Sequence, residues 1–411
     1  MQLVVKPVGF GDCCILREGP ASLIVDCGSR SNPRFSARHA ASTGRYAYSA
    51  ICREMEGEGV VDVMITHFHS DHLNGFLHIP PAKWRQIQRV YLPWSLRDQR
   101  QYLADAVASL LLAAPAGSWG FQLARDAVEL LTLLAKVSGQ ILFKKQGDRI
   151  WFAGAALEVL WPHVQMVEQL SLFGAPGTQG AEEPAWAGAT PEERAMEDAV
   201  RRALRQQPGE GPDPWQLGRR LAAALSTYIE LLSERGAREA ESCRPAMEQV
   251  QGLYGRLLQA RAQVQQAARQ APHLAQVLEK FAQARYDALI RDMNDTSLVC
   301  ALGDRLLLTG DVGAEVIDTL RQAGLLCQTY HVVKAPHHGT HAHFLPPSEY
   351  LVVSNGYHKN WAVKEGVVAG ASGRVVCTRA HKKSAYCGYR SAHRRCAARC
   401  IQVCDEQVIG L

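Results

Sequence analysis

Between Thr66 and His72 the chain reads Thr66-His67-Phe68-His69-Ser70-Asp71-His72, placing three imidazoles and a carboxylate within six positions. Imidazole nitrogen and carboxylate oxygen together suit zinc, manganese or iron. The run follows Val60 to Thr66, a short β-branched stretch, so His67 is expected at the carboxyl end of a strand, where ligand-bearing loops commonly sit. There His67 and His69 can point the same way while Asp71 and His72 turn back on the loop, one metal beside each pair. The rival reading, a polar surface loop with incidental histidines, leaves this density of donors unexplained.

Two later segments repeat the placement. Asp311 ends the apolar run Leu307-Leu308-Thr309-Gly310-Asp311 at a glycine turn, where a carboxylate can reach the same face; taken alone, an Asp after a strand is a turn or cap residue. Lys334-Ala335-Pro336-His337-His338-Gly339 again sets imidazoles directly after a β-branched strand. Three such strand ends make a shared site credible. His163, His273, His341 and His343 are read as structural or surface groups, and Cys13 and Cys14 as core strand residues.

The HxHxDH at 67–72, the Gly-Asp at 310–311 and the His-His-Gly at 337–339 resemble the metal motifs of the metallo-β-lactamase superfamily. Val8-Gly9-Phe10-Gly11-Asp12, Ile24-Val25-Asp26-Cys27-Gly28, Asn294-Asp295-Thr296-Ser297-Leu298-Val299 and Pro336-His337-His338-Gly339 narrow it. They resemble the hydrolase domain of bacterial competence-type DNA-uptake channel proteins, over about 1–100 and 293–378. The resemblance implies an α/β fold, the αββα metallo-β-lactamase sandwich, with a dinuclear centre at one edge. It implies that His67 and His69 hold the first metal, Asp71 and His72 the second, and that Asp311 bridges. His337 or His338 completes the second site, and Asp71 and His338 are the catalytic candidates. Asn294 stands where many members carry another histidine, which leaves the first site open to water and favours Mn²⁺ over Zn²⁺. Asp12 and Asp26 are candidates for supporting the ligands.

Two divalent ions in such a site lower the pKa of a shared water and stabilise charge on the attacked and leaving oxygens, so no Ser or Cys nucleophile is required. The expected activity is a metal-dependent phosphodiesterase, a nuclease acting on DNA. One alternative is hydrolysis of a small ester, lactam or cyclic nucleotide at the same centre. A second is a non-catalytic interaction protein whose metals only hold the loop.

The elements that must position these residues are strands near both ends of the chain. At 411 residues, 47% hydrophobic and 21% charged, the chain has the composition of a globular protein with room for more than one domain. Strand-like runs at the start, at Ile150 to Trp161 and from Ser297 onward are separated by an Ala/Leu-rich helical stretch, Asp98 to Ser138, and by a long interval without strand signal, 164–292. The expected division is 1–163 and 293–378 as two halves of one fold, 164–292 as a helical insertion, and 379–411 as a basic, Cys-rich extension. Within the insertion, Val250, Leu253, Leu257, Ala260, Val264, Ala267, Ala271, Leu274, Leu278 and Phe281 mark a narrow seam that Pro272 interrupts. An αα-hairpin or short coiled coil is expected there, a gate or a surface for a protein partner.

The start of the chain has no signal-peptide pattern and no run is long enough to span a membrane, so a cytoplasmic protein without a channel is expected, its twelve cysteines reduced or metal-bound. Cys377, Cys387, Cys396, Cys400 and Cys404 with His381 and His393 can be read as a structural zinc site. The favoured reading puts Cys396, Cys400 and Cys404 along one face of a terminal helix. The basic run from Arg374 to Arg399, with Tyr386 and Tyr389, reads equally as a nucleic-acid contact or a solvated tail.

Overall fold

The computed structural model describes residues 1–30, 40–57, 59–164, 195, 198–199, 202, 213–234, 242–340, 344–356, 363–369, 371–378, 400–403 and 406–411. The chain forms two compact units: Met1–Trp94 with Lys136–His163 and Met293–Leu411, and Ser95–Ala135 with Val164–Asp292.

The first unit is mixed α/β. One sheet runs β15 (Gln407–Gly410), β1 (Gln2–Val5), β2 (Cys14–Glu18), β3 (Ala21–Val25), β4 (Val61–Met64), β5 (Ile87–Pro93), β6 (Gln140–Lys144). The other runs β14 (Cys400–Val403), β13 (Ala371–Thr378), β12 (Ser348–Val353), β11 (Tyr330–Lys334), β10 (Leu306–Leu308), β9 (Val299–Leu302), β8 (Ala155–Trp161), β7 (Arg149–Phe152). Strand alternation explains how the sheets pack. Leu3, Val5, Leu16, Leu23, Val25 and Met64 of one sheet share a buried cluster with Ile150, Leu157, Leu302, Leu308, Val332 and Val352 of the other. The intervening residues Val4, Ile15, Ile24 and Val63, and Leu307, Val333, Leu351 and Val353, are also buried, so both faces of each sheet are covered. Short helices α1 (Ala40–Ser49), α2 (Cys52–Glu56), α3 (Ser70–Leu73) and α4 (Pro81–Trp84) follow the early strands.

Strands β3 to β6 are mutually parallel, as are β10 to β14, so their carboxyl ends gather along single rims. This is what positions the candidate ligands: β4 leads into His67, β10 into Asp311 and β11 into His337, as expected.

The second unit is helical, with α5 (Ser95–Asp98), α6 (Arg100–Ala113), α7 (Trp119–Leu134), α8 (Pro214–Glu234), α9 (Arg244–Gln270) and most of α10 (Pro272–Asp295). The seam residues Val250, Leu253, Leu257, Val264, Leu274, Leu278 and Phe281 are buried, and the chain breaks between Gln270 and Pro272. The unit is larger than the expected insertion. Leu103, Val107, Leu110 and Leu111 of α6 are buried and α8 packs on that helix, so Ser95–Ala135 groups with the later helices and not with the sheets. Among the described residues the last helices are α11 (Ala314–Gln322) and α12 (Glu365–Ala369), in the first unit.

The carboxyl-terminal extension also differs from expectation. Cys400 begins β14, which pairs with β13, and β15 pairs with β1, so these residues complete the sheets and Cys400 is not on a helix. Cys387, Cys396, Cys404, His381, His393 and the basic positions from Arg379 to Arg399 lie outside the described residues, as do His341, His343 and the linker at 208–212. No described helix is long and apolar enough to cross a membrane.

Candidate metal centre

At the strand-end rim, His67, His69, Asp71, His72, Asp311 and His338 come together and are all buried. Three features of the backbone bring them there. Asp26, after β3, takes a left-handed conformation (φ 54°), and His337 and His338 do the same (φ 48° and 53°), so the loops turn sharply inward. Gly28 lies so close to the α3 loop that a Cβ would sit 2.3 Å from the Asp71 carbonyl carbon. Asp12 N–H donates to Asp71 O at 2.9 Å and Cys27 N–H to His72 O at 2.7 Å, tying three loops into one layer.

Asp12, His72, Asp311 and His338 offer ligand atoms all within 4.8 Å of one another, a group that could hold a metal ion. His72 Nε2 is 3.2 Å from Asp311 Oδ2 and 3.5 Å from Asp12 Oδ2. His338 Nε2 is 3.1 Å from Asp71 Oδ2 and 3.4 Å from Asp311 Oδ2. The His67 ring centroid lies 4.0 Å from that of His72 and 4.4 Å from that of His69.

Asp26 sets the orientation of two of these rings. Its Oδ2 accepts from His72 Nδ1 at 2.8 Å and from Thr66 Oγ1 at 2.7 Å, and its Oδ1 accepts from Thr66 N–H at 2.8 Å. Since the Thr66 hydroxyl proton goes to Asp26, its lone pairs face His67 Nδ1 at 3.1 Å and accept the Nδ1 proton. Both imidazoles therefore present Nε2 inward, the arrangement in which an outer carboxylate fixes a ligand's tautomer. His338 donates Nδ1–H to Ser354 O at 3.1 Å, with the same result.

The electrostatics divide the histidines into two kinds. Burial holds His67 well below the usual imidazole range and takes His69 down to about 3, so both stay neutral. Burial also disfavours the charge on His72 and His338, but Asp311 and the other carboxylates outweigh it and raise both. Burial opposes ionisation of Asp71, yet Arg30 and His338 hold it well below the carboxylate range; His72 and His338 do the same for Asp311. Two internal cations contribute: Arg30 Nε stands 3.2 Å from Asp71 Oδ1, and Lys334 Nζ 2.7 Å from Asp12 Oδ2 and 3.8 Å from Asp311 Oδ1.

The residues fit a divalent cation. His67 Nε2 and His69 Nε2 are buried without a hydrogen-bond partner, each an omission that costs roughly 1–3 kcal/mol unless something else binds the lone pair. Four carboxylates, Asp12, Asp26, Asp71 and Asp311, face two fixed cations, Arg30 and Lys334, so the other two negative charges are met by protons on His72 and His338, which a bound cation would replace. Nitrogen and oxygen donors of this kind suit zinc or manganese.

Of the two neighbouring histidines, His338 turns its ring into the carboxylates. His337 gives its backbone N–H to Asp311 Oδ1 at 3.0 Å, and its Nδ1 is 3.3 Å from Asn294 Nδ2. Asn294 Oδ1 is buried without a hydrogen-bond partner, beside His337 and not within the Asp12 group. Sequence reasoning missed the roles of Lys334 and Arg30 and assigned Asp12 only a supporting one. Lys334 carried a signal, a charge at the end of the buried run Val332-Val333 that requires a partner; Arg30 carried none.

No family model matches this chain, and no curated protein matches it. A solved structure of a protein of unknown function from Enterococcus faecalis V583 aligns over 62% of this chain and 68% of its own, at 12% identity and a TM-score of 0.22. A likeness of that size carries no argument about fold or activity.

Proposed function

We propose that this chain is a metal-dependent phosphodiesterase with the metallo-β-lactamase sandwich, and that its substrate is DNA. The observation that carries the reading is the inward-facing pair His67 Nε2 and His69 Nε2, buried and unbonded beside the Asp12, His72, Asp311 and His338 group. His67 and His69 would hold one divalent ion, Asp71, His72 and His338 a second, with Asp311 between them. Bound there, the ions supply a water acidified toward neutral pH and positive charge for the oxygens of the phosphate under attack. The protein's own part is positional. Asp26 keeps His67 and His72 in the tautomer that presents Nε2, Arg30 keeps Asp71 ionised, and Lys334 balances Asp12 in a layer that excludes bulk water. The motif resemblance supports a nucleic acid substrate over a small ester or lactam.

Purified protein loaded with Mn²⁺ or Zn²⁺ is to be assayed against plasmid DNA, single strands, RNA, a cyclic nucleotide and a chromogenic lactam. Cleavage of DNA that stops on chelation supports the proposal. Turnover of the lactam or cyclic nucleotide alone would move the substrate class, and metal uptake with no turnover on any of them would favour an interaction protein.

A further inference from the structure

The rim holding the metal ligands continues onto two strands whose ends carry an aromatic ring and an ammonium. Trp94 follows β5 and Lys145 follows β6. Ile65 N–H donates to Tyr91 O at 3.0 Å, so the chain leaving β4 toward His67 runs beside β5. Pro93 pairs in register with Lys144, and Trp94 N–H donates to Lys144 O at 2.8 Å. With β3 to β6 parallel and adjacent, Asp26, His67, Trp94 and Lys145 emerge in that order along one edge.

Lys145 is held at both ends. Its ammonium sits 4.8 Å from the Trp94 ring centroid, a cation–π contact. Its backbone N–H donates to Asp148 Oδ2 at 3.0 Å, closing the turn into β7, and the next residue, Gln146, donates its N–H to Pro162 O at 2.8 Å. The Asp148 oxygen that could have drawn the ammonium is thus turned to the backbone. Among the described residues Lys145 has no carboxylate within ion-pair distance, whereas Lys334 and Arg30 are committed to Asp12 and Asp71. Lys145 is thus a half-buried lysine held over a ring on the same rim, two strands from His67, with its positive charge free to meet an anion.

We propose that Lys145, positioned by Trp94, is a phosphate subsite that takes a phosphate of a single DNA strand next to the one under attack. This rests on the phosphodiesterase reading above. A substrate with one phosphate cannot use the subsite; a strand with several can.

The test compares a short single-stranded oligonucleotide with bis(p-nitrophenyl) phosphate, in wild type, Lys145→Ala, Lys145→Arg, Trp94→Leu and Arg305→Ala. Arg305 is exposed in the turn between β9 and β10, at the opposite end of the sheet, and its removal also deletes one positive charge. Oligonucleotide affinity is measured by fluorescence anisotropy across a salt series, independently of turnover. Lys145→Ala is expected to weaken binding about tenfold and to flatten the salt slope by about 0.7, one single-strand phosphate contact. Lys145→Arg restores binding, Trp94→Leu loses part of it, Arg305→Ala leaves it unchanged, and all retain wild-type turnover of bis(p-nitrophenyl) phosphate. Equal effects of Lys145→Ala and Arg305→Ala, no binding by wild type, or equal loss on both substrates overturns the subsite. If wild type binds strands through Lys145 but hydrolyses neither substrate, the subsite stands and the phosphodiesterase reading falls.

Discussion

The strand-end rim and the helical unit spend buried volume in opposite ways. At the rim, Asp12, Asp26, Asp71, Asp311, Lys334 and three or more imidazoles are sealed from water, and Asp26, His337 and His338 hold left-handed backbone conformations. In the helical unit the buried positions of α9 and α8 are mostly apolar, Val250, Leu253, Leu257, Leu221 and Leu225 among them, the buried Arg261 gives an N–H to Ala114 O at 2.6 Å, and no metal-holding group occurs among the unit's described residues. Buried apolar surface stabilises a fold by itself, at about 25 cal/mol per Å². Buried polar groups do so only when partnered, and at the rim His67 Nε2 and His69 Nε2 are left without a partner in the absence of a cation. The contrast teaches where function sits: the part of the molecule that is worst satisfied as a folded protein is the part built for a ligand.

The sharpest way to break this comparison is to delete a rim carboxylate. Asp311→Ala is expected to lower metal affinity and turnover by more than about 100-fold, since even residues that only support a ligand are worth 10–100-fold. The fold should persist, because Asp311 lies at the strand-end rim and not in the apolar core between the sheets, and circular dichroism checks it. Undiminished metal uptake in His67→Ala, Asp71→Ala and Asp311→Ala together would remove the rim's special status. In the helical unit the reverse holds. Leu257→Ala empties a fully buried site and should cost roughly 2–5 kcal/mol in a denaturant titration, while metal bound per folded molecule stays constant.

A smaller effect sharpens the account of the rim. Asp26→Asn replaces one accepting oxygen by an amide donor that would face either the Thr66 N–H or the His72 Nδ1 and Thr66 Oγ1 donors, so His67 and His72 lose their fixed tautomer. Metal affinity is expected to fall 10–100-fold, within the range for such supporting groups, and calorimetry reads it directly. An unchanged affinity would show that the tautomers are set elsewhere.

The smallest effect is in pH. His72 and His338 are raised, so in the metal-free protein they contribute stability that is fully present below the unfolded imidazole value of about 6.5 and lost as pH rises through their folded values. His67 and His69 are lowered and act oppositely, costing stability as pH falls below about 6.5. A metal must displace protons from the first pair and none from the second. Calorimetry in buffers of different ionisation enthalpy should therefore show up to about two protons released near neutral pH, and affinity should weaken on acidification. Release of none would mean His72 and His338 do not ligate.

Much of the rim was legible because its donors are local. His67 to His72 lie within one short segment after a β-branched strand, and Asp311 and the His337-His338 pair each follow another, so their strand-end placement made a shared site credible and the motif resemblance implied the ligand set. What the sequence did not resolve depends on turns and partners. His337 and His338 are adjacent and identical, and only their left-handed turn decides which ring enters the cluster. Arg30 has no pattern around it that announces Asp71. The helical character of Ser95–Ala135 was legible, but an amphipathic face does not say what covers it, and α8, which packs on α6, lies in the interval 164–292 that was expected as a separate insertion. Replacing 164–292 by a short linker would strip α8 from the buried face of α6, so that deletion is expected to destabilise Ser95–Ala135 whether or not the helices gate. The carboxyl-terminal strands β14 and β15 were hidden because their pairing partners, β13 and β1, are remote from one another in sequence.

The most direct test of the central claim is a metal titration of wild-type protein beside a His67→Ala/His69→Ala double variant, with Zn²⁺ and Mn²⁺ in turn and bound metal quantified after gel filtration. The account predicts about two ions per wild-type chain and a loss of at least one in the variant, with both proteins equally folded by circular dichroism. Wild-type protein that retains no more metal than the variant would contradict it, and would leave the buried His67 and His69 nitrogens without a ligand to explain them.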